Sequence, residues 1–389
     1  MYRIVNRKKL LMTQVADAIG YAMRRMLRRP IASGETGLLD PSSVKRILVI
    51  RTAYIGDVVM TLPILKPLKQ RFPDARISFM TSSDAASLLK NNPYVDEVLE
   101  VNPFWFYSGK RWDWLRSLRS WRRCRFDLII EARGDIRDLL FLVFLLRAGR
   151  KVSYAVGGGG FVLTDIVSHP RINHRVNYHL DLVKYLDCDV DPDNLEWDIY
   201  ETAEETDCIR RILAEAGIPS SFWCAHPGSR LPLKRWMNER YAETFDRISE
   251  TTGLPLVLLG TRGDAGNIQA ICRLLKQRPY CLIGKLGLRE LSGVIRRACL
   301  LVCNDSAPMH IAALVKTPTV ALFGPSKSSQ TGPFSPVARV VETPCMCRER
   351  CDEHACSNRG YHHCMKSIAV NDVVQSALEL WKQTASFRQ

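Results

Sequence analysis

The stretch Arg46–Pro63, RILVIRTAYIGDVVMTLP, decides the fold of this 389-residue chain. Ile47, Leu48, Val49 and Ile50 form a short apolar run with the β-branched bias of a strand buried on both faces of a parallel sheet. A loop containing Gly56 follows, and Val58, Val59, Leu62 and Leu65 then recur at helical spacing. One carboxylate, Asp57, therefore sits where the C-terminal end of a strand meets a helix N-terminus, the edge at which ligands bind in open α/β sheets. Aspartate is also a preferred helix cap, so within this segment the capping and the functional readings both stand.

Outward from this segment the alternation of strand and helix continues. Strands are predicted at Ile47–Ile50, Arg76–Met80, Glu97–Val101 and Leu128–Glu131, and a glycine-rich break, Gly157–Gly160, follows Val152–Val156. Asn177–Leu186 reads as helix and the acidic, proline-containing Asp187–Glu196 as a linker. The alternation then restarts, with strands at Trp223–His226, Leu256–Leu259, Leu300–Cys303, Thr319–Phe323 and Arg339–Val341, and helices over Thr202–Ala216, Asn238–Thr251, Asp264–Leu275 and Leu288–Ala298. Two successive βα runs predict an α/β protein of two doubly wound domains, 44–190 and 191–389, preceded by a basic extension over 1–43. The cleft between such domains is the expected active site.

A hydrophobic fraction of 46% and a charged fraction of 24% are those of a soluble globular protein, and the length favours two cores over one. The net charge of +15 calls for an anionic partner: nucleic acid, an anionic membrane surface or a phosphorylated substrate. Part of the excess is local, because Arg3, Arg7, Lys8, Lys9, Arg24, Arg25, Arg28 and Arg29 face the single acid Asp17 within the first thirty positions. Thr13, Gln14 and Asp17 interrupt the apolar run that a signal peptide would need. Leu11, Val15, Ala18, Ala22 and Met26 fall on one helical face, which reads as an interfacial membrane helix or as a solvated, partly disordered extension. The longest apolar run, Leu139–Leu146, is far short of the roughly 20 residues of a membrane span. The aromatics Trp105, Phe106, Trp112 and Trp114 follow no nucleic-acid module, so no nucleic-acid partner is expected.

Of thirteen cysteines, Cys124, Cys188, Cys208, Cys224, Cys272, Cys281, Cys299 and Cys303 are scattered and read as small buried hydrophobes. Cys345, Cys347, Cys351, Cys356 and Cys364 crowd together with His354, His362 and His363, in spacings unlike the paired C-x₂-C of an ordinary zinc site. A cytoplasmic location is expected, with free thiols or a structural metal at Cys345–Cys364 rather than a disulfide framework.

Three loops of the second half follow predicted strands. His226-Pro-Gly-Ser-Arg-Leu-Pro-Leu-Lys-Arg-Trp236 offers Gly228 and Ser229 as hydrogen-bond donors, with Arg230, Lys234 and Arg235 adding charge suited to a phosphate. Cys303-Asn-Asp-Ser-Ala-Pro-Met-His310 brings Asp305 to a strand end, with Ser306 a helix cap and Pro308 in the first turn. The free N–H groups of that turn and the helix dipole make an anion site, with His310 one turn in. Phe323-Gly-Pro-Ser326 closes the next strand.

In this order the motifs resemble glycosyltransferase family 9, the lipopolysaccharide heptosyltransferase family. The resemblance runs from about Lys45 to near Leu380 and rests on Gly56-Asp57 with Thr61-Leu-Pro63, His226-Pro-Gly-Ser229 with Lys234-Arg-Trp236, Asn304-Asp-Ser306 with Pro308-Met-His310, and Leu322-Phe-Gly-Pro325. It implies a GT-B fold of two Rossmann-like domains facing a central cleft, with the acceptor bound largely by the first and a nucleotide sugar, ADP-heptose, by the second. It also implies a last helix able to pack back on the first domain. By resemblance, Asp57 is the catalytic base of an inverting displacement, with Arg51 and Gly56 in its supporting loop. Lys234, with Gly228 and Ser229, neutralises the diphosphate; Asp305 holds donor-sugar hydroxyls; Ser306, Ala307, Pro308 and His310 cradle the diphosphate; Asp264 meets the ribose.

No cofactor is implied for catalysis, since the Asp-x-Asp spacings within Asp187–Asp193 lie in the linker. The acceptor implied is an anionic, lipid-linked glycan at the inner membrane surface. Ala307 and Met237 depart from the glycine and proline usual in the family, and residues before 44 lie outside its core. Another nucleotide sugar or a protein acceptor is the alternative enzyme reading, and a basic nucleic-acid-binding protein the non-enzymatic one.

Overall fold

The computed structural model describes residues 7–26, 39–107, 114–115, 119, 121–168, 173–192, 194–349, 351 and 353–385. Arg3, Arg28, Arg29, Trp112 and Asp193, singled out above, lie outside the described residues. The chain divides into two compact units, Met1–Trp197 and Asp198–Gln389, later than the boundary expected at 190/191. On either side of the division, Glu196 pairs with Lys66 of the first unit at 2.6 Å and Asp198 with Arg296 of the second at 2.7 Å.

The first unit holds a parallel sheet of β1 (Arg46–Ile50), β2 (Arg76–Thr81), β3 (Glu97–Glu100), β4 (Arg125–Glu131), β5 (Arg147–Ser153) and β6 (Asp165–Ile166) in the order 3-2-1-4-5-6. Ile47, Leu48, Val49 and Ile50 are fully buried, as a central strand covered on both faces requires. β5, which ends at Ser153, is not among the strands predicted from the sequence. Its first half alternates charge and glycine, which masked it, yet Arg147 to Lys151 pair in register with Arg125 to Ile129.

The basic extension is neither a separate body nor disordered over the described 7–26, because helix α1 (Arg7–Met26) docks on the first unit. It docks by a narrow polar stripe. Asp17 accepts the Gly159 N–H at 2.7 Å, Arg24 donates to the Phe161 carbonyl at 2.7 Å, and Tyr21 meets the Phe161 ring edge-on. Gly20 permits this approach, since a Cβ there would stand 2.3 Å from the Phe161 ring.

The second unit repeats the topology with β7 (Trp223–His226), β8 (Leu256–Leu258), β9 (Tyr280–Cys281), β10 (Leu301–Asn304), β11 (Thr319–Phe323) and β12 (Ala338–Glu342), ordered 12-11-10-7-8-9. Read from β9, this is again 3-2-1-4-5-6, the Rossmann order. The two-residue strands β6 and β9 are too short to show a period in the sequence. Trp223, Tyr241, Phe245, Leu258 and Val302 anchor the core, and each such side chain contributes roughly 1.5–3 kcal/mol on burial. The last helix runs over Val370–Ala385. Its Val373, Ala377 and Leu380 are buried in the second unit's own core.

Candidate active site

Each sheet reverses its strand order once, between β1 and β4 in the first unit and between β7 and β10 in the second. At such a switch point neighbouring loops leave in opposite directions and open a crevice beyond the strand ends. The residues singled out from the sequence gather at these two places.

In the first unit, helix α2 (Ile55–Thr61) starts five residues after β1 ends. Asp57 is its third residue and not the cap itself; its Oδ2 accepts the Tyr54 N–H at 3.1 Å, which ties off the helix start. The other oxygen, Oδ1, lies 2.6 Å from Arg51 Nη2. The Arg51 side chain is 5% exposed and that of Asp57 26%, so the carboxylate keeps an outward side. Burial pushes the Asp57 carboxyl up, but Arg51, Arg133, the Tyr54 N–H and Arg175 outweigh it and hold the group at about 2. Gly56 sits beside it in the first turn.

The surroundings of Asp57 were not legible in the sequence. Arg133 follows β4, lies 4.2 Å over the Phe106 ring, and has a buried Nη1 with no hydrogen-bond partner. Arg175 opens helix α3 (Arg175–Lys184), and its charge reaches Asp57. Glu131 ends β4, where Ser153 donates to it at 2.7 Å and the Gly134 N–H at 2.6 Å. Burial, with Asp138 adding, pushes Glu131 above the ordinary carboxylate range, and burial does the same for Asp138, which accepts from Trp105 Nε1 at 2.9 Å. From α3, the buried His179 meets the Met60 carbonyl at 2.9 Å; burial, aided by Arg51, drops it to about 3 and leaves it neutral. Only the strand-end position of Glu131 and Arg133 could have flagged them.

In the second unit the loop after β7 folds back on itself, with Arg235 Nε donating to the Ser229 carbonyl at 2.8 Å. This brings Lys234 Nζ to 2.7 Å from Asp305 Oδ2 at the end of β10, and 3.1 Å from Glu353 Oε1. Ser326, from the Phe323–Ser326 loop, also donates to Asp305. Asn304 locks the two loops together: its Nδ2 donates to the Pro227 carbonyl at 2.8 Å, and its Oδ1 accepts from Tyr241 of helix α4 (Asn238–Thr252) at 2.6 Å.

Ser306 occupies the cap position of helix α5 (Ala307–Leu314) without a side-chain cap bond; its hydroxyl donates instead to the Asn304 carbonyl at 3.2 Å. Ala307 and Pro308 form the first turn, and His310 is buried one turn in. The three loops thus converge on one cation, one carboxylate and one helix start. Asp264 is differently engaged. Its Oδ2 accepts the Thr261 N–H at 2.9 Å and the Thr261 hydroxyl at 2.6 Å, and it abuts Gly228.

A Cβ at Gly228 would stand 2.5 Å from Asp264 Oδ1, whose carboxylate is held by Thr261. Gly228→Ala is therefore expected to lower stability by about 1–3 kcal/mol through overpacking. A chemical denaturation midpoint equal to that of the parent protein would contradict this.

All thirteen cysteines are thiols. Cys345 and Cys347 lie 2.8 Å apart at sulfur, and Cys356 accepts the His362 N–H at 3.3 Å. Among the described residues no three His, Cys, Asp or Glu side chains are grouped as metal ligands. Nor is any described helix long and apolar enough to cross a membrane.

Two Rossmann-type sheets, each with loops gathered at its switch point, define an α/β protein of the GT-B class. The family model for glycosyltransferase family 9 (heptosyltransferase) matches residues 114–362, and the chain belongs to that family. It is 28% identical to lipopolysaccharide heptosyltransferase 3 of Escherichia coli K12, over 70% of this chain and 80% of the relative. It is 26% identical to lipopolysaccharide heptosyltransferase 2 of the same organism, over 87% and 95%. Among solved structures it resembles a family 9 glycosyltransferase from Veillonella parvula, with a TM-score of 0.76 and 22% identity, covering 90% of this chain and all of the other. The E. coli ADP-heptose heptosyltransferase II structure matches with a TM-score of 0.69 at 24% identity, covering 87% and 99%. The protein is a glycosyltransferase. The family match takes in Lys234 and Asp305; Asp57 lies upstream of it.

Proposed function

We propose that the protein transfers heptose from ADP-heptose, with inversion and without a metal, to an anionic, lipid-linked lipopolysaccharide core acceptor at the cytoplasmic face of the inner membrane. The observation that carries this reading is the Lys234–Asp305 pair set before the start of α5, in a chain belonging to family 9. As the sugar–phosphate bond breaks, negative charge grows on the diphosphate. A preorganised lysine ammonium, backbone N–H groups of Gly228 and Ser229 and the first turn at Ser306, Ala307 and Pro308 with His310 stabilise that charge. Asp305 accepts from donor-sugar hydroxyls, for which it must share Lys234 and Ser326. Asp264 acts through its neighbours, keeping the Thr261 turn packed on Gly228.

Asp57 is the general base. A carboxylate held at about 2 is a weak base, so it collects the acceptor proton only once the attacking hydroxyl has become acidic by bonding to the anomeric carbon. Arg133 and Arg175 beside it suit an acceptor that carries phosphate or carboxylate.

The donor assignment is tested by thermal unfolding with ADP-, GDP- and UDP-sugars. ADP-heptose at a hundredfold excess over its Kd is expected to add about 2.7 kcal/mol. Stabilisation by a GDP- or UDP-sugar and none by ADP-heptose would overturn it.

A further inference from the structure

Helix α1 turns its polar stripe inward and its apolar residues outward. Leu11, Met12, Val15, Ile19, Met23 and Met26 are between 52% and 84% exposed, an inversion of what a helix on a soluble domain normally does. The stripe that docks is Thr13, Asp17, Gly20 and Arg24, held through the Gly159–Leu163 turn. Phe161 and Val162 of that turn share an apolar cluster with Leu139, Val143 and Leu146. From the same segment Phe144 stands 60% exposed. Immediately beyond, Leu145 and Arg147 line a surface depression with Arg119, Arg122 and Arg123, and no acid among the described residues lines it. An exposed apolar helix face, an exposed phenylalanine and a four-arginine depression thus follow one another through packed neighbours of one unit.

We infer that this composite surface seats the protein on an anionic phospholipid leaflet, α1 lying in the headgroup–acyl boundary and the arginines engaging lipid phosphates. Charge decides the occupant. The exposed Arg25 lies in the last turn of α1, and with the arginine depression it would repel a second copy of the same face, whereas anionic headgroups supply the missing counter-charge. Burying apolar side chains beside basic ones is the mode of interfacial helices, which need both signals for stable binding. The inference rests on the proposed lipid-linked acceptor for its purpose, but the binding is measured without acceptor or donor.

The test is cosedimentation of the full chain with vesicles containing phosphatidylglycerol, compared with vesicles of phosphatidylcholine alone. The parent protein is expected to bind the anionic vesicles on the order of tenfold or more tightly, with binding falling as salt rises. The variant Met12→Glu/Ile19→Glu/Met23→Glu alters only exposed positions and is expected to lose vesicle binding of the same order while keeping its thermal midpoint. It is also expected to keep full transfer to a delipidated, water-soluble acceptor. Two results overturn the inference: parent protein that stays in the supernatant, or a variant that sediments like the parent. A parent dimer that the variant converts to monomer, without vesicle binding in either, would assign the face to a second copy instead. Failure of transfer to the soluble acceptor by the parent protein would count against the proposed function and leave vesicle binding unaffected.

Discussion

Asp57→Asn is expected to lower transfer by about 10²–10⁴-fold, the usual contribution of a general base, with donor affinity unchanged. Asparagine keeps the size of the side chain and an oxygen for the Tyr54 N–H, so the start of α2 survives. Arg51 keeps the Asp138 carboxylate within reach of its charge, whereas Glu131, pushed up to about 8 by burial, is largely neutral at pH 7. The variant does lose the stabilisation that comes from the lowered pKa. Holding Asp57 at about 2 against an ordinary value near 3.9 corresponds to about 2–3 kcal/mol. Since the folded pKa is depressed, that stability is fully present above pH ~4 and disappears as the pH falls through about 2. The parent and the variant should therefore differ in thermal midpoint at pH 7 and converge in strong acid. Transfer by Asp57→Asn at the parent rate would remove Asp57 from the mechanism.

Lys234→Met is expected to reduce kcat/KM by about 10²–10³-fold, as does loss of one preorganised group at a developing oxyanion. Methionine preserves the length and apolar stem of the side chain while deleting the charge. The deletion leaves Asp305 with Ser326 and a nearby Glu353, two carboxylates without their shared cation. Some loss of stability must follow, so activity alone does not isolate the role. Lys234→Arg resolves it. Arginine keeps the charge in a different shape and should restore folding stability while recovering only part of the rate. Single-turnover measurements at saturating donor place the defect: a lysine that acts on the leaving group lowers the chemical step, whereas one that merely holds Asp305 lowers donor affinity. Parent-like single-turnover rates in Lys234→Met would refute the leaving-group role.

Much of the site was legible because its parts are local. A strand, a glycine-containing turn and a helix start lie within a dozen residues of one another, so Ile47–Val59 and Val302–His310 each announce a sheet-edge loop without tertiary information. Arg133 and Arg175 carried no such signal. Arg133 resembles any exposed arginine until β4 pairs with β1 and brings its loop beside the one that holds Asp57. Asp264 reads in the sequence as a ligand group in a polar loop, and only the folded loop shows that Thr261 donates to its carboxylate. On α1 the apolar face was readable, but its outward direction was not. Periodicity reports that a helix has two faces and is silent about which one docks.

From Arg46–Pro63 and the loops that answer it in the second half, the sequence alone determined two Rossmann-type sheets, their strand-end loops and the residue types there. Those properties depend on hydrophobic period and turn chemistry, which act over a few residues. Tertiary structure alone decided which charges meet. Lys234 and Asp305 are 71 positions apart and pair because β7 and β10 lie side by side. Asp57 takes its low pKa first from Arg51 in its own loop, and then from Arg133 and Arg175, which β4 and α3 bring to it. Electrostatic energy falls with distance in space and takes no account of separation along the chain, so only the folded arrangement could set it.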